Sequence, residues 1–333
     1  MRLAALDIGS NSAQLQVVDI SSGAPPLPAH AVKEPTLLGE ELQADGSLSE
    51  EGAQRAATAV RRAVESATRL GVEQLYPFVT AAIRDATNRA EVIDLIEAES
   101  GIRPQHLSGE QEAQLTYFAA HRWYGWSAGR LLLIDIGGGS MELVLGRDVE
   151  PTLAVSLPLG AGRLTRAFCT TDPPRRGELK AIRRHVRGTL SEVLDRLRWE
   201  GTPRRVVATS KTFKQLARLA GAPPQRKGPF VRRELTLAGL REQIPRLVNA
   251  TAKERSKLRG ISKSRARQVV AGALVAEATM AALDLRSVEI CPWALREGIL
   301  LRHLEANSAL PELPLQALTR NSAPVRPLPV TAS

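Results

Sequence analysis

The chain has 333 residues, 43% apolar and 24% charged, a composition that excludes a fibrous or disordered protein and leaves room for two globular domains. Two cysteines are too few for a disulfide framework, and the longest apolar stretch, residues 269–285, contains Glu277 and Asp284, so we expect a cytoplasmic protein without a membrane span. Residues 1–126 carry 10 Lys and Arg against 17 Asp and Glu, whereas residues 127–306 carry 33 against 17; the asymmetry suggests that the basic part handles a polyanion, and a solvated basic surface is the ordinary alternative.

An internal repeat is the first feature along the chain. Residues 3–17 can be laid over residues 131–145 at a constant offset of 128, with six of the fifteen positions identical. In both copies an apolar strand ends at an Asp, a turn of Gly, Ser and Asn follows, and a second apolar strand begins. This pattern predicts two β-hairpins with tight polar tips. Two copies predict two similarly built halves that face each other.

The remaining elements are typical of an α/β chain. Apolar periodicity, capping residues and glycine stops predict helices and short strands in alternation. The predicted helices cover residues 49–70, 88–100, 108 onwards, 212–220, 237–251, 263–283 and 295–305, and the predicted strands cover residues 75–80 and 206–209. We expect an N-terminal domain over residues 1–126, a basic C-terminal domain over residues 127–306, and a disordered Pro-rich tail over residues 307–333.

The two hairpin tips are candidate phosphate-binding loops. A turn of small polar residues exposes several backbone N–H groups on one side, and such a concavity binds anionic oxygens. Glycines also let a phosphate approach the backbone without an intervening Cβ. A lone triple glycine is weak evidence, but two copies favour a phosphate-binding pair over two plain turns. The candidate residues are Gly9, Ser10, Asn11 and Ser12 in the first tip and Gly137, Gly138, Gly139 and Ser140 in the second.

Asp7 and Asp135 end the first strand of each hairpin and are candidate metal ligands. Carboxylates are the hard oxygen ligands that Mg²⁺ prefers, directly or through water. An Asp that only caps a turn is the common alternative. It is less favoured here because both copies keep the Asp beside the glycines.

The helix that begins after Ser108, with Gln111 as its capping-box partner, carries two acidic residues in its first turn. Glu112 shares a stripe with apolar positions and therefore faces packed protein, whereas Glu110 lies on another face. A partly desolvated carboxylate near a cleft gains enough basicity to take a proton from water. A glutamate that only interacts with the helix dipole is the competing interpretation. The residues alone leave the role of Glu112 open.

Two further turns carry groups suited to anions. Arg84 follows a strand directly, where its guanidinium can reach a phosphate with two parallel hydrogen bonds; a surface pair with Asp85 is an equally good interpretation. Thr209 and Ser210 lie in a strand-to-helix turn beside Lys211, a place that suits an anion at a helix N-terminus.

Together these segments resemble the Ppx/GppA phosphatase family, the exopolyphosphatases and guanosine pentaphosphate phosphatases. The matching stretches occur in the family's order and cover residues 1 to about 305, and the chain is most similar to the short two-domain exopolyphosphatases. They are residues 7–12, 80–86, 108–115, 135–140, 156–165, 209–212 and 294–298.

The resemblance implies a duplicated ribonuclease H-like, actin-like fold of the α/β class, with the active site in a central cleft between two domains. It also implies that Glu112 is the catalytic base that activates water, that Asp135 belongs to a phosphate- and magnesium-binding loop, and that Arg84 contacts a substrate phosphate. A homodimer is what the family suggests.

Three positions depart from the family pattern. Gln111 stands where the family usually has a first Glu, which further favours Glu112 as the working carboxylate. Ala81 replaces a common Ser, and Lys211 replaces a common Gly. A lysine at that turn hinders a nucleoside, which favours inorganic polyphosphate over an alarmone as substrate.

We therefore expect a Mg²⁺-dependent exopolyphosphatase, a hydrolase of phosphoric anhydrides, with no nucleic acid or membrane partner. The alternatives are a guanosine pentaphosphate (pppGpp) phosphohydrolase, an ATP-dependent kinase on the same duplicated fold, and a non-catalytic binder of polyphosphate or alarmone. The sequence contains no acceptor-specific motif for a kinase.

Overall fold

The computed structural model describes residues 1–20, 27–43 and 45–307, so the predicted tail over 307–333 lies, apart from residue 307, outside the described residues. The first sheet has five strands in the order β3-β2-β1-β4-β5. Strands β1, β2 and β3 form an antiparallel meander, and β4 and β5 run parallel to β1. The strands are β1 Arg2–Ile8, β2 Ser12–Asp19, β3 Pro28–Pro35, β4 Gln74–Val79 and β5 Gln105–His106.

Four helices accompany this sheet, and local signals set their ends. The helices are α1 Glu50–Arg69, α2 Ala81–Arg84, α3 Arg89–Ser100 and α4 Gly109–Tyr124. Ser49 Oγ accepts a hydrogen bond from the Gly52 amide at 3.0 Å and begins α1. Gly101 ends α3 with a φ of 73°, a left-handed conformation that costs a glycine nothing. The predicted capping box of Ser108 and Gln111 is confirmed at the start of α4.

The second sheet repeats the first. Its six strands have the order β10-β11-β9-β6-β7-β8. Read from β8 inwards, this is an antiparallel meander followed by two parallel strands, as in the first sheet, with β10 added at the edge. The predicted duplication therefore extends from the hairpins to the whole sheet. The strands are β6 Leu131–Ile136, β7 Met141–Gly146, β8 Leu153–Leu157, β9 Arg205–Ala208, β10 Glu234–Thr236 and β11 Ser287–Ile290.

In the described residues, seven helices follow the second hairpin. They are α5 Ala161–Phe168, α6 Arg176–Trp199, α7 Ser210–Leu219, α8 Leu237–Val248, α9 Ala252–Arg255, α10 Val269–Ala282 and α11 Leu295–Asn307. The single helix predicted over 263–283 is wrong at its start. Lys263–Arg265 form a separate 3-10 turn, and α10 begins only at Val269. The segment between them borders the cleft, where Gln268 Nε2 donates to Asn11 Oδ1 at 3.2 Å.

Two helices join the halves. Helix α4 packs on α11 and on β8, and α11 crosses back to lie against β1 of the first sheet. A Cβ on Gly298 would overlap the carbonyl oxygen of Leu115, so only glycine lets α11 approach the α4 backbone this closely. Among the helices of the described residues, none combines the length and apolar content that a bilayer crossing requires. The division of the chain after residue 126 stays a prediction.

Candidate active site

The two hairpin tips have the same backbone closure. Gly9 donates its amide to the Ser12 carbonyl at 3.1 Å, and Gly137 donates its amide to the Ser140 carbonyl at 2.9 Å. Each tip lies at the end of a buried strand pair, β1–β2 or β6–β7, in the register that the repeat predicts. The repeat in the sequence is therefore a repeat in local geometry.

The tips also meet. A Cβ on Gly138 would overlap Ser10 Oγ, and a Cβ on Gly139 would lie 2.6 Å from the Cβ of Ala81. The contact with Ala81 requires glycine at position 139, because real Cβ atoms do not approach each other so closely, whereas a side chain at position 138 would have to displace the Ser10 hydroxyl. Residues 9–12 and 137–140 consequently face each other across one cleft.

Flanking segments hold the carbonyl groups of the tips. The Ser10 carbonyl accepts from the Gly39 amide at 3.2 Å, and the Gly138 carbonyl accepts from the Arg163 amide at 2.9 Å. Because a peptide group is planar with its N–H opposite its C=O, the amides that follow these carbonyls are turned the other way. Within the described residues, the tip amides of Ser10, Asn11, Gly138 and Gly139 have no hydrogen-bond acceptor. Unpaired N–H groups on a turn are a site for an anion.

Asp7 and Asp135 lie beside the tips at the ends of β1 and β6. Burial raises the pKa of both carboxyl groups, and the charge of Asp135 raises the pKa of Asp7 further. The Thr209 hydroxyl donates a hydrogen bond to Asp135 Oδ2. Thr209 and Ser210 were both predicted to bind phosphate. Thr209 is fully buried and its hydroxyl is bonded to the Asp135 carboxylate, whereas Ser210 lines the cleft.

Glu112 is buried in the same cleft, at 8% relative exposure, whereas Glu110 on the same helix turn is exposed. Arg84 Nη1 donates to Glu112 Oε1 at 2.6 Å, and Arg84 Nε donates to Asp85 Oδ1 at 2.8 Å. Burial, followed by the charge of Glu142, holds the pKa of Glu112 well above its usual range, and Arg84 opposes that rise. The predicted pair of Arg84 with Asp85 is present, and the same guanidinium also contacts the cleft carboxylate of Glu112. The contact of Arg84 with a phosphate stays a prediction.

Glu142 is a site residue that sequence reasoning missed. It is 5% exposed and pairs with Asp135 across the second hairpin. Ser156 Oγ donates to its Oε1 at 3.0 Å. Burial and the charge of Asp135 raise the pKa of Glu142 to about 7. The repeat could have indicated Glu142, because it aligns with Gln14 of the first hairpin. The two residues differ, and a comparison of identical positions alone does not select them.

Three cations of the cleft were also missed. Lys214 lies on α7, Arg265 on the 3-10 turn and Arg296 on α11. Lys214 lies three residues after Lys211, and Arg296 lies in the segment 294–298 that the sequence analysis singled out. Neither signal places these side chains in the cleft, because α7, the 3-10 turn and α11 come together only in the folded chain.

These groups surround one cavity of about 230 Å³ between the two halves. It brings together all the predicted residues except Arg84 and Thr209, which contact the lining residues Glu112 and Asp135. The charged lining residues are Asp7, Glu112, Asp135, Glu142, Lys211, Lys214, Arg265 and Arg296.

Comparison with known proteins places this site in a family. The model of the Ppx/GppA phosphatase family matches residues 17–307. The chain belongs to the Ppx/GppA phosphatase family. It is 46% identical over 308 residues to the protein named Exopolyphosphatase 1 of Mycobacterium tuberculosis, a match that covers 92% of this chain and 90% of that protein.

Solved structures of the Ppx/GppA family share the fold. The Aquifex aeolicus Ppx/GppA enzyme matches with a TM-score of 0.74 and 27% identity, over 91% of this chain and 99% of that one. An exopolyphosphatase from Cytophaga hutchinsonii matches with a TM-score of 0.84 and 24% identity, over 92% and 98% of the two chains. The predicted duplicated actin-like fold is therefore confirmed.

The Ppx/GppA family suggests a divalent metal cofactor, and the cleft offers suitable oxygen ligands. In the part of the chain that the structure describes, no group of three or more His, Cys, Asp or Glu side chains is placed to hold a metal ion by itself. Mg²⁺ needs no such cage, since it is bound through one or two carboxylates together with water and substrate phosphates. Asp7 and Asp135 meet that requirement, and a cation between them would offset the repulsion that raises the pKa of Asp7.

Proposed function

We propose that this chain is an exopolyphosphatase that releases orthophosphate from the end of inorganic polyphosphate. The observation that carries the proposal is the pair of facing tips, whose unpaired amides lie beside the buried carboxylate of Glu112. The identity with relatives named exopolyphosphatase supports the same substrate class.

The terminal phosphoryl group binds between the tips. The unpaired tip amides, those of Ser10, Asn11, Gly138 and Gly139, and the hydroxyls of Ser10, Ser12, Ser140 and Ser210 surround its oxygens. Arg84 supplies positive charge beside Glu112. Thr209 contributes by fixing the orientation of Asp135. Donors that are already in place when charge develops on the phosphoryl oxygens lower the barrier without reorganisation.

Asp7 and Asp135 hold the metal ion, which we propose is Mg²⁺. When bound, it neutralises charge on the phosphate oxygens and orients them. The rest of the proposed chemistry belongs to side chains of this chain.

Glu112 is the general base. Its raised pKa means that the carboxylate holds a proton more strongly than an exposed glutamate, which suits it to accept the proton of an attacking water. The ion pair with Arg84 favours the ionised carboxylate and fixes its position. The water then attacks the phosphorus in line with the departing chain.

The nearest alternative substrate is guanosine pentaphosphate, whose terminal phosphate fits the same tips. We favour polyphosphate because Lys211 lines the cavity from the first turn of α7, where a nucleoside would be crowded. We further propose that the protein is a cytoplasmic homodimer. In each chain we propose that the boundary between the two domains lies near residue 126.

Phosphate release tests the proposal. The purified full chain is incubated with short polyphosphate, long polyphosphate and guanosine pentaphosphate, each with Mg²⁺ or with EDTA. We expect Mg²⁺-dependent orthophosphate release, fastest from polyphosphate. Release from guanosine pentaphosphate alone would support the alternative, and binding of polyphosphate without turnover in Mg²⁺ would make the chain a non-catalytic binder.

A further inference from the structure

Five cations gather at the cavity, and we call them the Lys211 cluster. Four of them, Lys211, Lys214, Arg265 and Arg296, line the cavity, and the fifth, Lys33, is exposed and acts on Lys211 electrostatically. They come from both halves, since Lys33 lies on β3 and the others lie on α7, the 3-10 turn and α11. Within the described residues, none of the five forms an ion pair, although the salt bridges of the chain use many other arginines.

The hydrogen bonds of the cluster leave much of its charge unmatched. Lys214 Nζ donates to the Pro292 carbonyl at 3.0 Å, and Arg296 Nη1 donates to Gln14 Oε1 at 2.8 Å. Arg265 Nη1 is buried and has no partner among the described residues. Burial, followed by the charges of Lys214, Lys33, Arg265 and Arg296, lowers the pKa of Lys211. Cations that form no ion pair among the described residues, one of them with a buried unpaired donor, indicate that an anionic ligand completes the cluster.

The Lys211 cluster shares its cavity with the tips. Lys211, Lys214, Arg265 and Arg296 line the cavity that also contains Glu112 and both hairpin tips. The charged groups that act on Asp7 include Arg296 and Arg265 as well as Asp135. A terminal phosphoryl group held between the tips therefore shares its cavity with four of the five cations.

A second cationic region borders the tips, and part of its charge is neutralised. It lines a larger cavity of about 740 Å³ that includes Arg163, Arg166 and Arg267. Arg163 Nη2 pairs with Asp85 Oδ2 at 2.7 Å, and Arg166 Nη1 donates to the Gly39 carbonyl at 2.8 Å. A phosphate at Arg163 would have to compete with the Asp85 carboxylate, whereas no member of the Lys211 cluster forms an ion pair among the described residues.

On the basis of the proposed function, we propose that the Lys211 cluster binds the phosphate groups next to the terminal one, and that Lys211 favours an inorganic chain over a chain that ends in a nucleoside. Each further phosphate of an inorganic chain adds charge for the lysines to bind. A ribose and base at that place add none, and the strongly hydrated ammonium of Lys211 gives a base no flat surface on which to stack.

The direct test is binding without turnover. Lys211→Met and a control, Lys180→Met on the exposed face of α6, are titrated by calorimetry with orthophosphate and with imidodiphosphate, a diphosphate whose bridging nitrogen resists hydrolysis. We expect Lys211→Met to weaken imidodiphosphate binding about tenfold and to leave orthophosphate binding unchanged, because only the diphosphate reaches the cluster. We expect Lys211→Arg to restore most of the affinity and Lys180→Met to change neither ligand.

Equal losses for both ligands, or no loss for either, would overturn the proposal. Kinetics provide the second readout: Lys211→Met should raise KM for polyphosphate about tenfold with a smaller change in kcat. The ratio of kcat/KM for guanosine pentaphosphate to kcat/KM for polyphosphate should rise, and an unchanged ratio would remove the specificity role. If the unaltered chain releases no phosphate from polyphosphate, the proposed function fails, while the calorimetry still decides whether the cluster binds a second phosphate.

Discussion

Replacing Glu142 by Gln should make the protein more stable at alkaline pH, although Glu142 lies in the site. Its carboxyl is buried, and burial together with Asp135 raises its pKa from 4.5 to about 7. A group whose pKa is higher in the folded state contributes stability at acid pH that is lost as the pH rises through the folded pKa. Gln keeps an oxygen that can accept the Ser156 hydrogen bond and carries no charge at any pH.

The pKa shift sets the magnitude. One pKa unit corresponds to about 1.4 kcal/mol, so a shift of this size makes Glu142 cost the folded state on the order of 3 kcal/mol once it is fully ionised. Between about pH 5 and pH 8, ionisation of Glu142 lowers the free energy of unfolding of the unaltered chain by about 2.5 kcal/mol. The uncharged amide of the Glu142→Gln variant does not cause this loss. Relief of the repulsion that Glu142 exerts on Glu112 acts in the same direction.

Urea unfolding at both pH values measures this difference, in EDTA so that no divalent cation offsets the carboxylates. The free energy of unfolding of Glu142→Gln relative to the unaltered chain should increase by about 2 to 3 kcal/mol from pH 5 to pH 8. Glu192→Gln, on an exposed position of α6, is the control and should show no such change. If the free energy of unfolding of Glu142→Gln relative to the unaltered chain were the same at both pH values, the description of Glu142 as a desolvated carboxylate repelled by its neighbours would be refuted.

Two backbone predictions follow from the same cleft. Gly298→Ala should destabilise the chain by about 1–3 kcal/mol and lower kcat, because the added Cβ overlaps the Leu115 carbonyl and displaces α4, the helix that carries Glu112. The control is Gly188→Ala, in α6 with open space around it. It should stabilise the chain by about 0.5–1 kcal/mol in urea unfolding. Ser210→Gly should stabilise by about 1 kcal/mol in the same assay, since Ser210 has a φ of 70° that only glycine adopts without strain, and an equal gain for Ser210→Ala would contradict this reason.

Much of the fold could be predicted because its signals are local. The repeat at an offset of 128 identifies both hairpins, and Ser49, Gly101 and Ser108 set helix ends through bonds within a few residues. The start of α10 could not be predicted in this way. There the segment before α10 contacts the first hairpin tip, 257 residues away in the sequence, and the local pattern carries no information about such a contact.

The site residues likewise fall into those with a local signal in the sequence and those without one. Residues in or beside the repeated tips were identified from the sequence, and Glu112 was identified as a candidate by its helical stripe. The cations of the Lys211 cluster other than Lys211 itself were not, because β3, the 3-10 turn and α11 meet only in the folded chain. Glu142 was missed although its neighbours were found, because its role arises from burial against Asp135 and not from its residue type.

The most direct test of the central claim compares two glutamates of one helix turn. Glu112→Gln and Glu110→Gln remove the same group from α4, but Glu112 is buried beside the tips and Glu110 is exposed. We predict that Glu112→Gln lowers the rate of phosphate release from polyphosphate by about 10²–10⁴ at saturating substrate, while Glu110→Gln stays near the unaltered rate. Near-normal release by Glu112→Gln, or equal losses in the two variants, would contradict the role of Glu112 as the base.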